Sequence, residues 1–286
     1  MWGLYILLLG IFAISAAFWY TEIHILFFLI CLLFLILIIY LSYLYENWYI
    51  LGISLIIFLI LLPTIYFYID LGCGIYPYMY TKKNQKKEMK EMCSQFLDRH
   101  FHWSIKGERY LPDPDEGPVI YVLNHHCKNN QLIDLLGHLK IPGNNYIVVT
   151  GGKTRWEIID NLYSNMRHIK LTKEQSGNTE IFLKECGNRL RENKSLVIFP
   201  EGKFTSEKKN WKELKGFQTG AFLLSKKCNV PIVPVLISGD SYDYGLIWNN
   251  HVLMQYLPAI YPFDFETPEE MRDYTLHLMN EKLYLL

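Results

Sequence analysis

Three patterns of hydrophobic and polar positions follow one another along this chain. Residues 1–81 are apolar almost without interruption, and Glu22, Glu46 and Asp70 are the only charged side chains before Lys82. Three stretches, residues 2–20, 25–45 and 48–69, are separated only by the polar breaks TEIH and YENW. Each runs to about 20 residues, which as helix crosses a hydrocarbon layer of roughly 30 Å. Tyr and Trp cluster at the ends of the stretches, where aromatic rings favour the membrane interface. A cleaved signal sequence has a basic n-region and one short apolar core, and neither fits. The pattern predicts an anchor of two or three transmembrane helices over residues 1–72, with the bilayer as its partner.

Helical spacing sets in at residue 86. Met89, Met92, Cys93, Phe96, Leu97 and Phe101 share one face, with Lys and Glu opposite. That face has two readings, resting in the membrane interface or packing on the domain that follows. Residues 73–115 thus read as a basic and amphipathic connector, closed by the structure-breaking segment LPDPDEGP.

Beyond it the pattern alternates. Strand-like runs fall at 119–123, 146–149, 168–171, 195–199, 231–238 and 252–260, with helical patterns near 131–140, 154–165, 178–192 and 215–228. A last helix is announced by Thr267-Pro268-Glu269-Glu270, a capping box with proline at its first turn. Such alternation predicts an α/β domain over residues 116–286, a mixed and largely parallel sheet flanked by helices. Pro231 and Pro234 imply that their strand lies at an edge or that they fall among its first residues, because proline cannot donate to a ladder.

Charge adds an orientation. All 28 lysines and arginines lie after residue 81, beginning with Lys82, Lys83, Lys86, Lys87 and Lys90. Positive charge flanking a span stays cytosolic, so the C-terminal domain is expected in the cytosol, on an integral protein of the endoplasmic reticulum or another internal membrane. The six cysteines follow neither CxxC spacing nor a disulfide framework, which suits a reducing compartment. No histidine pair has convincing metal-ligand spacing. No basic stripe with interleaved aromatics points to nucleic acid.

Candidate chemistry sits in two places. VIYVLNHHCKNNQLIDLLG, residues 119–137, reads as strand, polar turn and helix, which presents turn side chains at the carboxyl edge of a sheet. Imidazole suits proton transfer near neutral pH, and Asp134 is available to orient it. SLVIFPEGKFTSEKKNWKELKGF reads as a buried strand turning at Pro200-Glu201-Gly202 into a loop with Lys203, Thr205, Ser206, Lys208 and Lys209. Glycine admits backbone N–H groups to a ligand, and lysine and hydroxyl groups suit an anion such as phosphate.

In this order, these stretches resemble the lysophosphatidic acid acyltransferase family of glycerolipid acyltransferases, over roughly residues 105–240. Asn124-His125 matches the start of the family's N-H-x4-D block. His168-Ile169-Lys170-Leu171-Thr172-Lys173 falls on a block ending in arginine. Phe199-Pro200-Glu201-Gly202 matches F-P-E-G-T-R-S, and Val230-Pro231-Ile232-Val233-Pro234-Val235 matches V-P-I-V-P-V. The resemblance implies transfer of a fatty acyl group from acyl-CoA to a lysophospholipid hydroxyl, with no cofactor and no metal. His125 would be the general base and Asp134 its partner, while Lys173, Glu201, Gly202 and Lys203 would bind substrate. No G-x-S-x-G elbow is present, so direct transfer is the simpler mechanism.

The departures are local. Five positions after His125 stands Asn130, where the family has aspartate, and Asp134 is the next carboxylate. The text from Asp134-Leu135-Leu136-Gly137 resumes the family pattern, which favours an insertion. Lys203 stands one position before the family's arginine, and Thr219 where a lysine is common. These changes keep two alternatives open: a catalytically silent membrane-anchored lipid-binding or scaffold relative, and an acyltransferase for glycerol 3-phosphate, lysophosphatidylinositol or lysocardiolipin.

Overall fold

The computed structural model describes residues 86–125, 137–143, 145–151, 168–171, 179–202, 214, 216–238 and 251–285, with isolated helical positions between residues 33 and 56. The chain divides into two units, Met1–Tyr76 with Gly245–Ile247, and Pro77–Tyr244 with Trp248–Leu286. In the first unit the described positions are helical, and Leu33, Ile36, Tyr40, Tyr43, Leu44, Tyr49 and Ile56 are exposed. The three apolar stretches otherwise lie outside the described residues. Among the described residues no helix is long and apolar enough to cross a membrane.

The second unit holds α1 (Lys86–His100), β1 (His102–Lys106), β2 (Ile120–Leu123), β3 (Tyr146–Gly151), β4 (Ile169–Leu171), α2 (Thr179–Arg191), β5 (Ser195–Ile198), α3 (Gly220–Cys228), β6 (Ile232–Ser238), β7 (His251–Tyr256) and α4 (Pro268–Tyr284). The strands form one sheet in the order β1-β7-β6-β2-β5-β3-β4. All neighbours are parallel except β6 and β7. The mixed, largely parallel sheet that the alternation predicts is therefore present. The sequence pattern near 154–165 lies outside the described residues.

Alternation of side chains along each strand splits the core between the two faces. On one face Ile120, Val122, Ile147, Leu196, Ile198, Ile232 and Leu236 pack with Cys186 and Leu190 of α2, Phe222 and Leu224 of α3, and Met271, Met279 and Leu283 of α4. The other face carries Tyr121, Leu123, Tyr146, Val148, Val197, Val233, Val235 and Ile237, all buried. α1 belongs to this side: Lys90 Nζ lies 4.7 Å from the centre of the Tyr146 ring and also bonds the Ile141 carbonyl at 2.7 Å. Lys140 Nζ reaches back to Ser94 Oγ at 2.9 Å. Cys93, Phe96, Leu97 and Phe101 are buried, so the apolar face of α1 packs on the domain. Full burial of Phe96 and Leu97 contributes about 1.5–3 kcal/mol each.

Two departures from the sequence pattern have clear causes. Strand β1 lies within the segment read as connector. Its five residues, His-Trp-Ser-Ile-Lys, alternate polar and apolar positions but are mostly exposed and make too short a run to stand out between α1 and the segment LPDPDEGP. It pairs in parallel with β7 at the edge of the sheet, where one neighbour suffices. Conversely, β6 is not an edge strand but lies between β7 and β2. The Pro234 nitrogen faces away from β2, toward the chain that follows β7, so the β2 pairing needs no donor from it. On that side Pro234 accepts from the Leu257 N–H at 2.9 Å, and paired bonding resumes between Ile232 and Ile260, so the missing donor falls at an irregular point of the ladder.

The α4 cap forms as the sequence announces. Thr267 Oγ1 accepts from the Glu270 N–H at 3.2 Å, Glu270 Oε2 accepts from the Glu266 N–H at 2.9 Å, and Pro268 opens the helix.

Gly107, at the end of β1, has φ +78°, and a side chain there would drive into the carbonyl oxygen of Tyr256 in β7. Gly107→Ala combines a left-handed backbone with a clash against backbone. It is expected to destabilise the domain by about 2–4 kcal/mol, read as a lowered midpoint in thermal or denaturant unfolding.

Candidate active site

The candidate site is assembled at the carboxyl ends of three adjacent parallel strands, β6, β2 and β5. Open α/β sheets bind ligands there, because strands end and loops begin at a common edge. β2 delivers Asn124 and His125, β5 delivers Phe199-Pro200-Glu201-Gly202, and β6 delivers Ile237 and Ser238.

The β5 turn is built for close approach. Pro200 and Glu201 occupy its centre, and the Gly202 N–H closes it on the Phe199 carbonyl at 3.1 Å. Proline presets the first central position. Gly202 has φ +78°, and a side chain there would overlap that of Gln218. The Gln218 N–H in turn donates to the Pro200 carbonyl at 2.7 Å, tying the turn to the segment that enters α3.

This turn holds the histidine. Glu201 Oε1 accepts from the His125 backbone N–H at 2.8 Å, and Glu201 is only 8% exposed. A charge-assisted bond of this kind is stronger than a neutral one. The His125 ring lies on the Phe199 ring with centroids 4.8 Å apart and planes 11° from parallel. On the other side, the fully buried Asn124 carboxamide bonds the Ile237 peptide, Nδ2 to the carbonyl at 3.0 Å and Oδ1 to the N–H at 2.7 Å. Sequence reasoning quoted Asn124 and Phe199 only as motif letters. Their roles depend on partners 113 and 74 residues away, for which a single sequence carries no signal.

The structure therefore brings His125, Glu201 and Gly202 together. Asp134, Asn130, Lys203 and Lys173 lie outside the described residues. Lys203 follows Gly202 directly in the chain. Lys173 follows β4, whose last residue is Leu171, three strands across from β2 and so roughly 14 Å from it at about 4.8 Å per strand.

Two other histidines lie apart from this edge. His138 is fully buried, edge-on to Tyr146 and to His168 with centroids 6.0 and 5.5 Å away. His168 accepts at Nδ1 from the Val148 N–H at 3.1 Å, at the amino end of β4. That is the opposite end of the strand from the carboxyl edge. Burial pushes the thiols of Cys93 and Cys186 up to about 12, which leaves both inert as nucleophiles.

A carboxyl-edge histidine seated on a Phe-Pro-Glu-Gly turn defines a class. Residues 102–238 match the family model described as Acyltransferase. The chain is 28% identical over 144 residues to a 1-acyl-sn-glycerol-3-phosphate acyltransferase of Chlamydomonas reinhardtii, a stretch covering 48% of this chain and 38% of that one. It is 27% identical over 135 residues to a chloroplastic 1-acyl-sn-glycerol-3-phosphate acyltransferase of Brassica napus, covering 47% and 37%. The matches thus span well under half the length of these relatives. Among solved structures, the 1-acyl-sn-glycerophosphate (LPA) acyltransferase PlsC of Thermotoga maritima superposes with a TM-score of 0.58 at 16% identity, over 79% of this chain and 95% of that one, and shares its fold. Together these likenesses support a lysophosphatidic acid acyltransferase-like family for the region 102–238.

Proposed function

We propose that this protein is an O-acyltransferase that moves a fatty acyl group from acyl-CoA to the free hydroxyl of 1-acyl-glycerol 3-phosphate, in phospholipid synthesis or remodelling. The observation that carries the reading is the seating of His125, its peptide on Glu201 and its ring on Phe199, at the carboxyl edge of the sheet. His125 takes the proton of the acceptor hydroxyl as the oxygen attacks the thioester carbonyl. The tetrahedral intermediate collapses with loss of the CoA thiolate, which recovers the proton from the imidazolium. Asp134 holds the imidazolium as it forms. Gly202, whose backbone turns without a side chain, and the lysines Lys203 and Lys173 receive the acceptor phosphate. The run of apolar sequence and the exposed helical positions Leu33, Ile36, Tyr40 and Tyr43, spaced along one helical stripe, support an anchor that keeps the domain beside its lipid substrate.

The test is thioester consumption by the purified protein with one labelled acyl-CoA against a panel of acceptors: lysophosphatidate, glycerol 3-phosphate, lysophosphatidylinositol and lysocardiolipin. Preference for lysophosphatidate is expected. Consumption with none of them would favour the silent lipid-binding relative that the altered first and third blocks suggest.

Lys203→Ala is expected to raise the Michaelis constant for the acceptor roughly tenfold or more, since a charged hydrogen bond is worth about 1.5–3 kcal/mol. The constant for acyl-CoA should move less. A change confined to acyl-CoA would remove Lys203 from the phosphate site.

The domain is placed in the cytosol by its lysines after residue 81. Glycosylation acceptors inserted after residue 82 are expected to stay unmodified in microsomes, and efficient modification would reverse the topology.

A further inference from the structure

Strand β2 ends at Leu123, two residues before His125, and the hydrogen bonds show what ends it. The Ile120 N–H donates to the Pro231 carbonyl at 3.0 Å, and the register pairs Val122 with Pro234 and Leu123 with Val235. A parallel ladder joins each residue to the two that flank its partner. Carried one step further, it would have the Ile237 N–H donate to the backbone carbonyl of residue 124, and the Ile237 carbonyl accept from the backbone of residue 126. The Asn124 side chain takes both bonds instead, Oδ1 from the Ile237 N–H at 2.7 Å and Nδ2 to the Ile237 carbonyl at 3.0 Å. A carboxamide has a donor and an acceptor set as in a peptide group, and here it fills the place of one. The backbone carbonyl of residue 124 is thereby released from the ladder, and the N–H of residue 126 is not called into it.

The same amide nitrogen lies 3.4 Å from the carbonyl of His125, while Glu201 Oε1 holds the His125 N–H at 2.8 Å. The His125 residue is gripped from both ends. Asn124 and Ile237 are each fully buried, so the choice of side chain is strict. Alanine would leave the Ile237 N–H and carbonyl unpaired in the core. Aspartate keeps the acceptor, but sets an oxygen with no hydrogen against the Ile237 carbonyl. Glutamine is a methylene too long.

We propose that Asn124 is a positioning residue for His125. Its carboxamide stands in for a peptide of β2, so the chain leaves the sheet at residue 125 with the imidazole against Phe199. The inference rests on the reading of His125 as the base.

The experiment uses the full chain in detergent or liposomes, with Asn124→Ala and Asn124→Asp, each also combined with His125→Ala. Turnover number and both Michaelis constants are measured with acyl-CoA and lysophosphatidate, and folding is followed by thermal melting. A displaced base lowers kcat on the order of 10²-fold while both Michaelis constants stay within about twofold. In the His125→Ala background, adding Asn124→Ala leaves the residual rate unchanged, since a residue acting only through His125 has nothing left to act on. If Asn124→Ala does not fold, Asn124→Asp carries the same comparison. A folded variant with kcat within about threefold of the parent, or a further loss on top of His125→Ala, overturns the proposal. Wild-type turnover in His125→Ala alone would instead overturn the base assignment, and this inference with it.

Discussion

His125→Ala is expected to remove acyl transfer from the protein while leaving it folded. General base catalysis by a positioned imidazole contributes roughly 10²–10⁴-fold, and an alcohol is a poor nucleophile without it. The loss should appear in kcat, because the ring acts on the hydroxyl proton rather than on either substrate's tail or headgroup. His126→Ala is the control. The next ring along cannot inherit the role cheaply, since it is the His125 peptide that Glu201 holds and the His125 ring that stacks on Phe199. Labelled acyl transfer checks both variants, with the melting midpoint as the test of folding. Full turnover in His125→Ala with loss in His126→Ala would move the base by one residue.

Asp134→Asn is expected to be nearly as damaging. A carboxylate stabilises the imidazolium that forms when the acceptor hydroxyl loses its proton, whereas an amide only hydrogen-bonds to it. In serine proteases the corresponding change costs on the order of 10⁴ in rate. Asn130 stands where the family has its aspartate, and on one helix residues 130 and 134 would share a face, so the spacing alone leaves both in reach of the turn. The text after Asp134 follows the family pattern and the text after Asn130 does not, which is the reason for proposing Asp134 as the partner. Asn130→Ala is therefore expected to keep a substantial fraction of activity. Loss in Asn130→Ala together with full activity in Asp134→Asn would shift the partner to residue 130.

Much of the domain was legible in the sequence because its strands are short apolar runs between polar turns. The runs at 119–123, 146–149, 168–171 and 195–199 became β2, β3, β4 and β5 with ends moved by two residues or fewer. The helical patterns at 178–192 and 215–228 became α2 and the shorter α3. β1 escaped notice although His102–Lys106 alternates polar and apolar positions, because five residues with two apolar side chains, set between an amphipathic helix and a proline-rich break, carry little signal. Of the two positions that its prolines allowed for β6, the edge is wrong and the first residues are right: Pro231 precedes the strand and Pro234 is its third residue. The periodicity of α1 fixed which of its faces is apolar, and only packing decided that the face meets the domain.

What the sequence determined by itself is chemical: a histidine in a turn after a buried strand, a Phe-Pro-Glu-Gly turn after another, and the family that their order implies. Those features are local, carried by residues within a few positions of one another. The tertiary structure decided what the local text cannot express. Strand order sets β2 between β5 and β6, so that Glu201 reaches the His125 peptide, Phe199 its ring, and Asn124 the peptide of Ile237. The physical reason is that a hydrogen bond or a ring stack acts over a few ångströms of space, and the sheet brings within that range residues that lie 74 to 113 positions apart in the chain.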